Sequence, residues 1–133
     1  MKSKSKICPC NPNKSYSQCC EPFHSNKNVP QTPEQLMRSR YSAFVLEKYD
    51  YLIKTHHVNF RGQLTIDDLK QEPHFKWLRL EVLKTSSNVI TDTKGTVTFK
   101  AWYRFNNNID AIFETSDFIK QDGKWYYTKG IQH

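Results

Sequence analysis

The sequence predicts an α+β fold, in which helices pack against one face of a curved antiparallel sheet and a small cysteine knuckle precedes them. Three observations carry this expectation. Apolar residues recur at three- and four-residue steps from Leu36 to Ile53, as one buried helical face requires. From Phe75 onward they alternate instead, the period of strands. All four cysteines of the 133-residue chain fall between residues 8 and 20. Helices grouped ahead of strands indicate layered α+β packing. A chain of 15.8 kDa accommodates one ordinary domain with a small appendage and excludes a large multidomain enzyme.

The knuckle comes first. Cys8-Pro9-Cys10 is followed, eight residues later, by Cys19-Cys20, and the remaining 113 residues contain no cysteine. Cysteines used only as small apolar residues would be dispersed, so the cluster carries chemistry. Two disulfides would need an oxidising compartment, and the start MKSKSKI lacks the apolar stretch of an export signal. A structural zinc site is favoured: four thiolates complete a tetrahedral shell, Pro9 stiffens the turn, and Asn11, Asn13 and Ser15 suit a loop that folds back. An unliganded or redox-active cluster is the alternative. CPCNPNKSYSQCC resembles the SEC-C motif, a small zinc-binding module, with Cys8, Pro9, Cys10, Tyr16, Cys19 and Cys20 matching and Asn11-Pro12-Asn13 standing where the motif has Gly-Ser-Gly. The resemblance implies Cys8, Cys10, Cys19 and Cys20 as ligands of one structural zinc ion. His24, four residues beyond Cys20, is then unnecessary as a ligand and reads as a surface histidine.

After a polar connector, Thr32-Pro33-Glu34-Gln35 is a helix start, with Thr at the N-cap, Pro in the first turn and Gln in capping-box position. The helix should run from Pro33 toward His56 with a break near Asp50. Thr65 to Leu69 suggests a second, shorter helix, its acids at the amino end and Pro73 as its stop. Four strands follow. Leu78, Leu80 and Val82 should share one side of the first; Val97, Phe99, Ala101, Tyr103 and Phe105 one side of the second; Ile112, Glu114, Ser116 and Phe118 one side of the third; Trp125 and Tyr127 mark the fourth. Turns are expected at Thr91 to Gly95, Asn106 to Asn108 and Asp122-Gly123.

The segments Leu36 to His57, FKWLRLEVLK, and Phe113 to Gly130 resemble the bacterial YchJ family, in which a SEC-C motif is joined to a nuclear-transport-factor-2-like domain, and the run Met37-Arg38-Ser39-Arg40-Tyr41 is specific to that family. The resemblance implies a cone-like domain (cystatin-like or nuclear-transport-factor-2-like) over residues 32–133, its curved sheet wrapping a long helix around a pocket, with residues 1–31 as zinc module and connector. It implies no reaction.

Fold alone does not select a function. The polar residues able to furnish a site are Arg38, Arg40, Tyr41, His56, His57, Arg104, Glu114 and Asp117; Arg40, Tyr41, His57, Glu114 and Asp117 are the pocket candidates, and no catalytic residue is assigned. Glu114 alternates with Ile112 and Phe118, which suggests a partly buried carboxylate needing a partner such as Arg40 or His57. A structural ion pair explains such a pairing more readily than acid–base catalysis. His56 and His57, adjacent on a helix, diverge by about 100° and cannot share one face as a metal pair. Trp102 and Tyr103 must face opposite sides of their strand.

Charge narrows the partners. The chain carries +7; residues 1–32 hold Lys2, Lys4, Lys6, Lys14 and Lys27 against Glu21, giving +4, and the rest holds +3. Four thiolates and one Zn2+ change the total by −2, leaving the knuckle near +2. That weakens a phosphate-seeking arm and disfavours nucleic acid. No apolar run approaches the roughly 18 residues of a membrane span. The expectation is a cytoplasmic protein that contacts a protein partner through the knuckle, with a small ligand or substrate in the cone pocket as the alternative.

Overall fold

The knuckle opens on β1 (Ile7–Cys8) and β2 (Asn11–Ser15), an antiparallel ribbon whose turn is Pro9-Cys10. The computed structural model describes residues 6–71, 75–86 and 92–133; Lys2 and Lys4 of the basic arm, Pro73 and Thr91 lie outside them. A 3-10 turn (Tyr16–Gln18) and α1 (Glu21–His24) complete the module.

Helix α2 (Pro33–Leu46) starts as its sequence specifies, with the Thr32 hydroxyl accepting from the Gln35 amide at 3.1 Å. The Gln35 side chain reaches one residue further back than a capping box, to the Gln31 N–H at 2.7 Å. The long helix predicted toward His56 is broken earlier than Asp50. Glu47 takes a left-handed conformation (φ 59°) and the Lys48 amide returns to the Ala43 carbonyl at 2.8 Å, closing the helix. The chain resumes as α3 (Tyr49–Lys54) and ends there, so His56 lies outside any helix, in a bridge with Tyr127. Two short helices follow, α4 (Val58–Arg61), unforeseen in the sequence, and α5 (Ile66–Lys70), closed by a full Thr65/Asp68 capping box.

Strands β3 (Lys76–Thr85), β4 (Lys94–Phe105), β5 (Asn108–Gln121) and β6 (Lys124–Gln132) form an antiparallel meander in that order. Asp122 and Gly123 sit at φ 54° and 81°, the paired left-handed geometry of a two-residue hairpin turn. Alternation holds along β4, where Val97, Phe99 and Ala101 are buried, and along β5, where Ser116 and Phe118 are. It fails at Leu78, which is 39% exposed. The β3–β4 register shifts between Trp77 and Arg79, so Trp77, not Leu78, joins Leu80 and Val82 against the core. Tyr103 stacks on Phe75 with centroids 4.1 Å apart, while Trp102 faces away beneath Arg79.

Helix α2 crosses the inner face of the sheet. One apolar cluster joins Leu36, Met37 and Tyr41 with Val97, Phe99, Phe118 and Trp125, and it also includes Cys8, Cys10 and Cys20. The knuckle therefore shares the core of the body. Fully burying a side chain such as Leu36 or Phe118 contributes about 1.5–3 kcal/mol, and the sulfurs contribute surface to the same cluster.

Candidate metal centre and cavity

Cys8 ends β1, Cys10 follows across the turn, the 3-10 turn delivers Cys19, and Cys20 is the residue before α1. Their four Sγ atoms lie within 4.8 Å of one another. Neighbouring sulfurs are 3.5 Å (Cys10–Cys19), 3.6 Å (Cys10–Cys20), 3.7 Å (Cys8–Cys10) and 3.9 Å (Cys19–Cys20) apart. All four are free cysteines, since a disulfide needs about 2.05 Å. Sulfurs about 2.3 Å from a central ion have tetrahedral edges of about 3.8 Å, so the donor set fits a metal ion.

Crowding shows in the acidities. Hydrogen bonds from Cys10 and Cys20 pull the Cys8 thiol far below its usual range. Cys10 is pushed up to about 12: the Cys20 hydrogen bond lowers it, but Cys8, burial and the neighbouring charges outweigh this. Cys20 is driven up by Cys10, then by Cys8 and burial, and Cys19 rises through burial first. Four thiolates can ionise together in this space only with a cation among them.

The stretch of α2 from Arg38 to Ser42 holds this cluster. The Arg38 guanidinium donates from Nη1 to the Cys10 carbonyl at 3.0 Å and from Nε to Glu34 at 2.8 Å. The Ser42 hydroxyl lies 3.5 Å from Cys8 Sγ, and the Cys20 thiol faces the Arg38 carbonyl at 3.7 Å. His24 is half-buried rather than on the surface. Its Nε2–H donates to the Ser39 carbonyl at 2.8 Å, which leaves Nδ1 to accept from the Tyr16 hydroxyl at 2.6 Å. Burial, its largest influence, holds His24 below the usual histidine range and hence neutral. The motif tyrosine thus reaches the body through His24, and Ser39 continues the chain to the Tyr51 hydroxyl at 2.7 Å.

On the other side of α2 lies a cavity of about 450 Å³. Its wall is apolar, built by Met37, Phe75, Trp77, Phe99, Ile112 and Phe118, and its polar groups include Arg40, Tyr41, Glu114, Ser116 and Tyr127. Arg40 is buried, donating from Nη1 to the Leu52 carbonyl at 2.9 Å and the Thr55 hydroxyl at 2.7 Å. Glu114 does not pair with it. The Glu114 carboxylate accepts from Ser116 (2.5 Å), Tyr127 (3.5 Å) and Gln132 (2.5 Å), lying over Gly130, where a Cβ would collide with it. Tyr127 mediates between the two charges, its ring 4.7 Å from the Arg40 Cζ and its hydroxyl on Glu114.

Of the pocket candidates, Arg40, Tyr41 and Glu114 line the cavity and His57 and Asp117 do not. His57 caps α4, accepting from the Asn59 amide at Nδ1 and donating from Nε2 to Gln121 at 2.5 Å. Asp117 follows Ser116 on β5, and its carbonyl accepts from the Thr128 hydroxyl at 3.0 Å. Arg104, near the end of β4, is exposed. Sequence reasoning missed the roles of Tyr127, Ser116 and Gln132 around Glu114. A glycine inside a strand signals close approach of another group, and Gly130 was the available clue.

A family model described as the YchJ middle NTF2-like domain matches residues 32–130. A UPF0225 protein from Shewanella sp. (strain MR-4) is 51% identical over 133 residues, spanning 96% of this chain and 81% of that protein. Among solved structures, a SEC-C motif containing protein from Rhodopseudomonas palustris superposes with a TM-score of 0.84 at 32% identity, covering 93% of this chain and 96% of that one. A SEC-C motif containing protein from Psychrobacter arcticus superposes with a TM-score of 0.81 at 30% identity, covering 93% of this chain and 81% of that one.

Proposed function

The chain belongs to the YchJ family, and from that premise we propose that it is a small-molecule-binding protein whose cone domain, residues 32–133, is braced by a zinc module, residues 1–31. One structural Zn2+ sits on Cys8, Cys10, Cys19 and Cys20 and supplies the folding free energy that so short a segment lacks. Thiolates kept reduced for zinc belong to a reducing compartment, so a cytoplasmic location is part of this reading. Among the described residues no helix is long and apolar enough to cross a membrane.

The observation that carries the binding role is the cavity: about 450 Å³, apolar-walled, with a few convergent polar groups from α2, β5 and β6. Ligand sites have that constitution. The test is a screen of small apolar fragments by NMR against the wild type and Ala101→Phe, whose ring enters the cavity. Binding should perturb cavity amides in the wild type and vanish in the variant. Fragments that bind both proteins equally, or neither, would refute the reading.

A second reading, an adaptor that docks a protein partner through the knuckle, is favoured by the outward Ile7, which is 64% exposed on β1, and by the exposed Asn13 and Lys14 on β2. Ile7→Asp should then abolish co-purification of a specific partner while zinc content is unchanged.

A further inference from the structure

Arg40 is 8% exposed and lines the cavity, and among the described residues its guanidinium makes no ion pair. Its two hydrogen bonds, both from Nη1, go to neutral acceptors. Among the described residues the ion pairs are Arg38–Glu34 and Arg79–Glu81, and neither uses Arg40. Nε and Nη2 have no protein acceptor there, although a guanidinium offers five N–H groups in a fixed fork. Glu114 shares the cavity but is turned onto Ser116, Tyr127 and Gln132. Burial, the main influence on it, lowers the Arg40 pKa to about 10, which leaves it protonated at neutral pH. A buried cation without an ion-pair partner is costly, and the Tyr127 ring, 4.7 Å from the Arg40 Cζ, offsets only part of that cost.

We propose that this cavity recognises an apolar-bodied monocarboxylate, the free N–H edge of Arg40 receiving the carboxylate and the aromatic wall receiving the body. The inference rests on the cavity being a ligand site. Arginine suits the role because its planar fork matches a carboxylate bidentately. Glu114, held by Ser116, Tyr127 and Gln132, and Glu47, exposed at the lining, stand beside the one guanidinium, so each charge beyond one on the ligand, as in a phosphate or dicarboxylate, adds repulsion that Arg40 does not offset. Tyr41 and Tyr127, pushed up to about 12 chiefly by burial, remain neutral. A cavity of about 450 Å³ admits a single aromatic ring or a short chain.

The experiment titrates phenylacetate, phenylacetamide and phenethylamine into the zinc-loaded full chain and follows cavity amides by NMR. Phenylacetate should bind about tenfold or more tightly than the amide, the discrimination expected of a charge-assisted hydrogen-bonded pair. Arg40→Met should erase that preference. Arg40→Lys, which keeps the charge and loses the fork, should reduce it, and Glu114→Gln, which removes a carboxylate from the same lining, should increase it. Equal binding of acid and amide by the wild type, or a preference that survives in Arg40→Met, overturns the proposal while the ligand site itself stands. If no probe perturbs the cavity, the ligand-site reading fails and takes the proposal with it.

Discussion

On the knuckle side of α2 four sulfurs are crowded within 4.8 Å and require a cation to ionise together. On the cavity side one guanidinium is buried, with neutral acceptors on Nη1 and the Tyr127 ring 4.7 Å from its Cζ. Neighbouring residues of one helix serve both regions: Arg38, Ser39 and Ser42 hold the knuckle, Met37, Arg40 and Tyr41 face the cavity. The difference lies in what completes each region. The knuckle's four sulfurs are supplied within thirteen residues and form a set that fits a metal, whereas the cavity's polar groups arrive from three distant segments and bond to one another, with Arg40 and Glu114 left unpaired across Tyr127. Because both regions rest on α2, each should feel the other.

Removing the metal tests that link most severely. Chelation, or Cys10→Ser, should destabilise the body as well as the knuckle, by several kcal/mol, because Cys8, Cys10 and Cys20 belong to the same apolar cluster as Leu36 and Met37. Thermal melting with NMR of the β4 and β5 amides reads this directly. A body whose melting is unchanged by chelation would mean that the two faces of α2 are independent.

Gly130→Ala probes the cavity side alone. The new methyl would occupy the place of the Glu114 carboxylate, which must swing off its partners. A loss of about 1–2 kcal/mol is expected from the disrupted hydrogen bonds, with zinc content untouched; denaturant unfolding and metal analysis together check both halves.

Acid should weaken the body through His56. Its Nε2–H donates to the Thr128 carbonyl at 3.0 Å, and burial first, then the Arg40 charge, holds its pKa below the usual 6.5. A depressed histidine pKa means that the unfolded chain takes up the proton first. Its contribution is therefore complete above about pH 6.5 and is lost as pH falls from there toward the folded-state value. His56→Gln should flatten that part of the stability profile relative to the wild type; parallel profiles would rule His56 out as the cause.

The smallest effect belongs to the end of the shared helix. Glu47 holds a left-handed conformation that glycine adopts without a steric penalty. Glu47→Gly should stabilise the protein by no more than about 1 kcal/mol, seen as a slightly higher melting temperature in both the metal-loaded and the chelated protein.

Much of this was legible in the chain. The cysteine cluster could be read because its four thiols lie within thirteen consecutive residues, and the N-cap at Thr32 and the turn at Asp122-Gly123 because each is specified by adjacent residues. Leu78 misled because a bulge shifts the register of β3 against β4, and no local pattern announces a bulge. His57 misled because the helix that was to carry it ends at Lys54.

What the sequence determined by itself was therefore whatever depends on neighbours along the chain: the cysteine cluster, the helix starts, the strand alternation and the order of elements. Only the tertiary structure decided the partners of the buried charges. Arg40 and Glu114 are 74 positions apart, and whether two such groups pair is set by what packs between them. Here Tyr127 of β6 offers its ring to the cation and its hydroxyl to the carboxylate, so the ion pair that strand alternation suggested gives way to two charges held apart by a tyrosine.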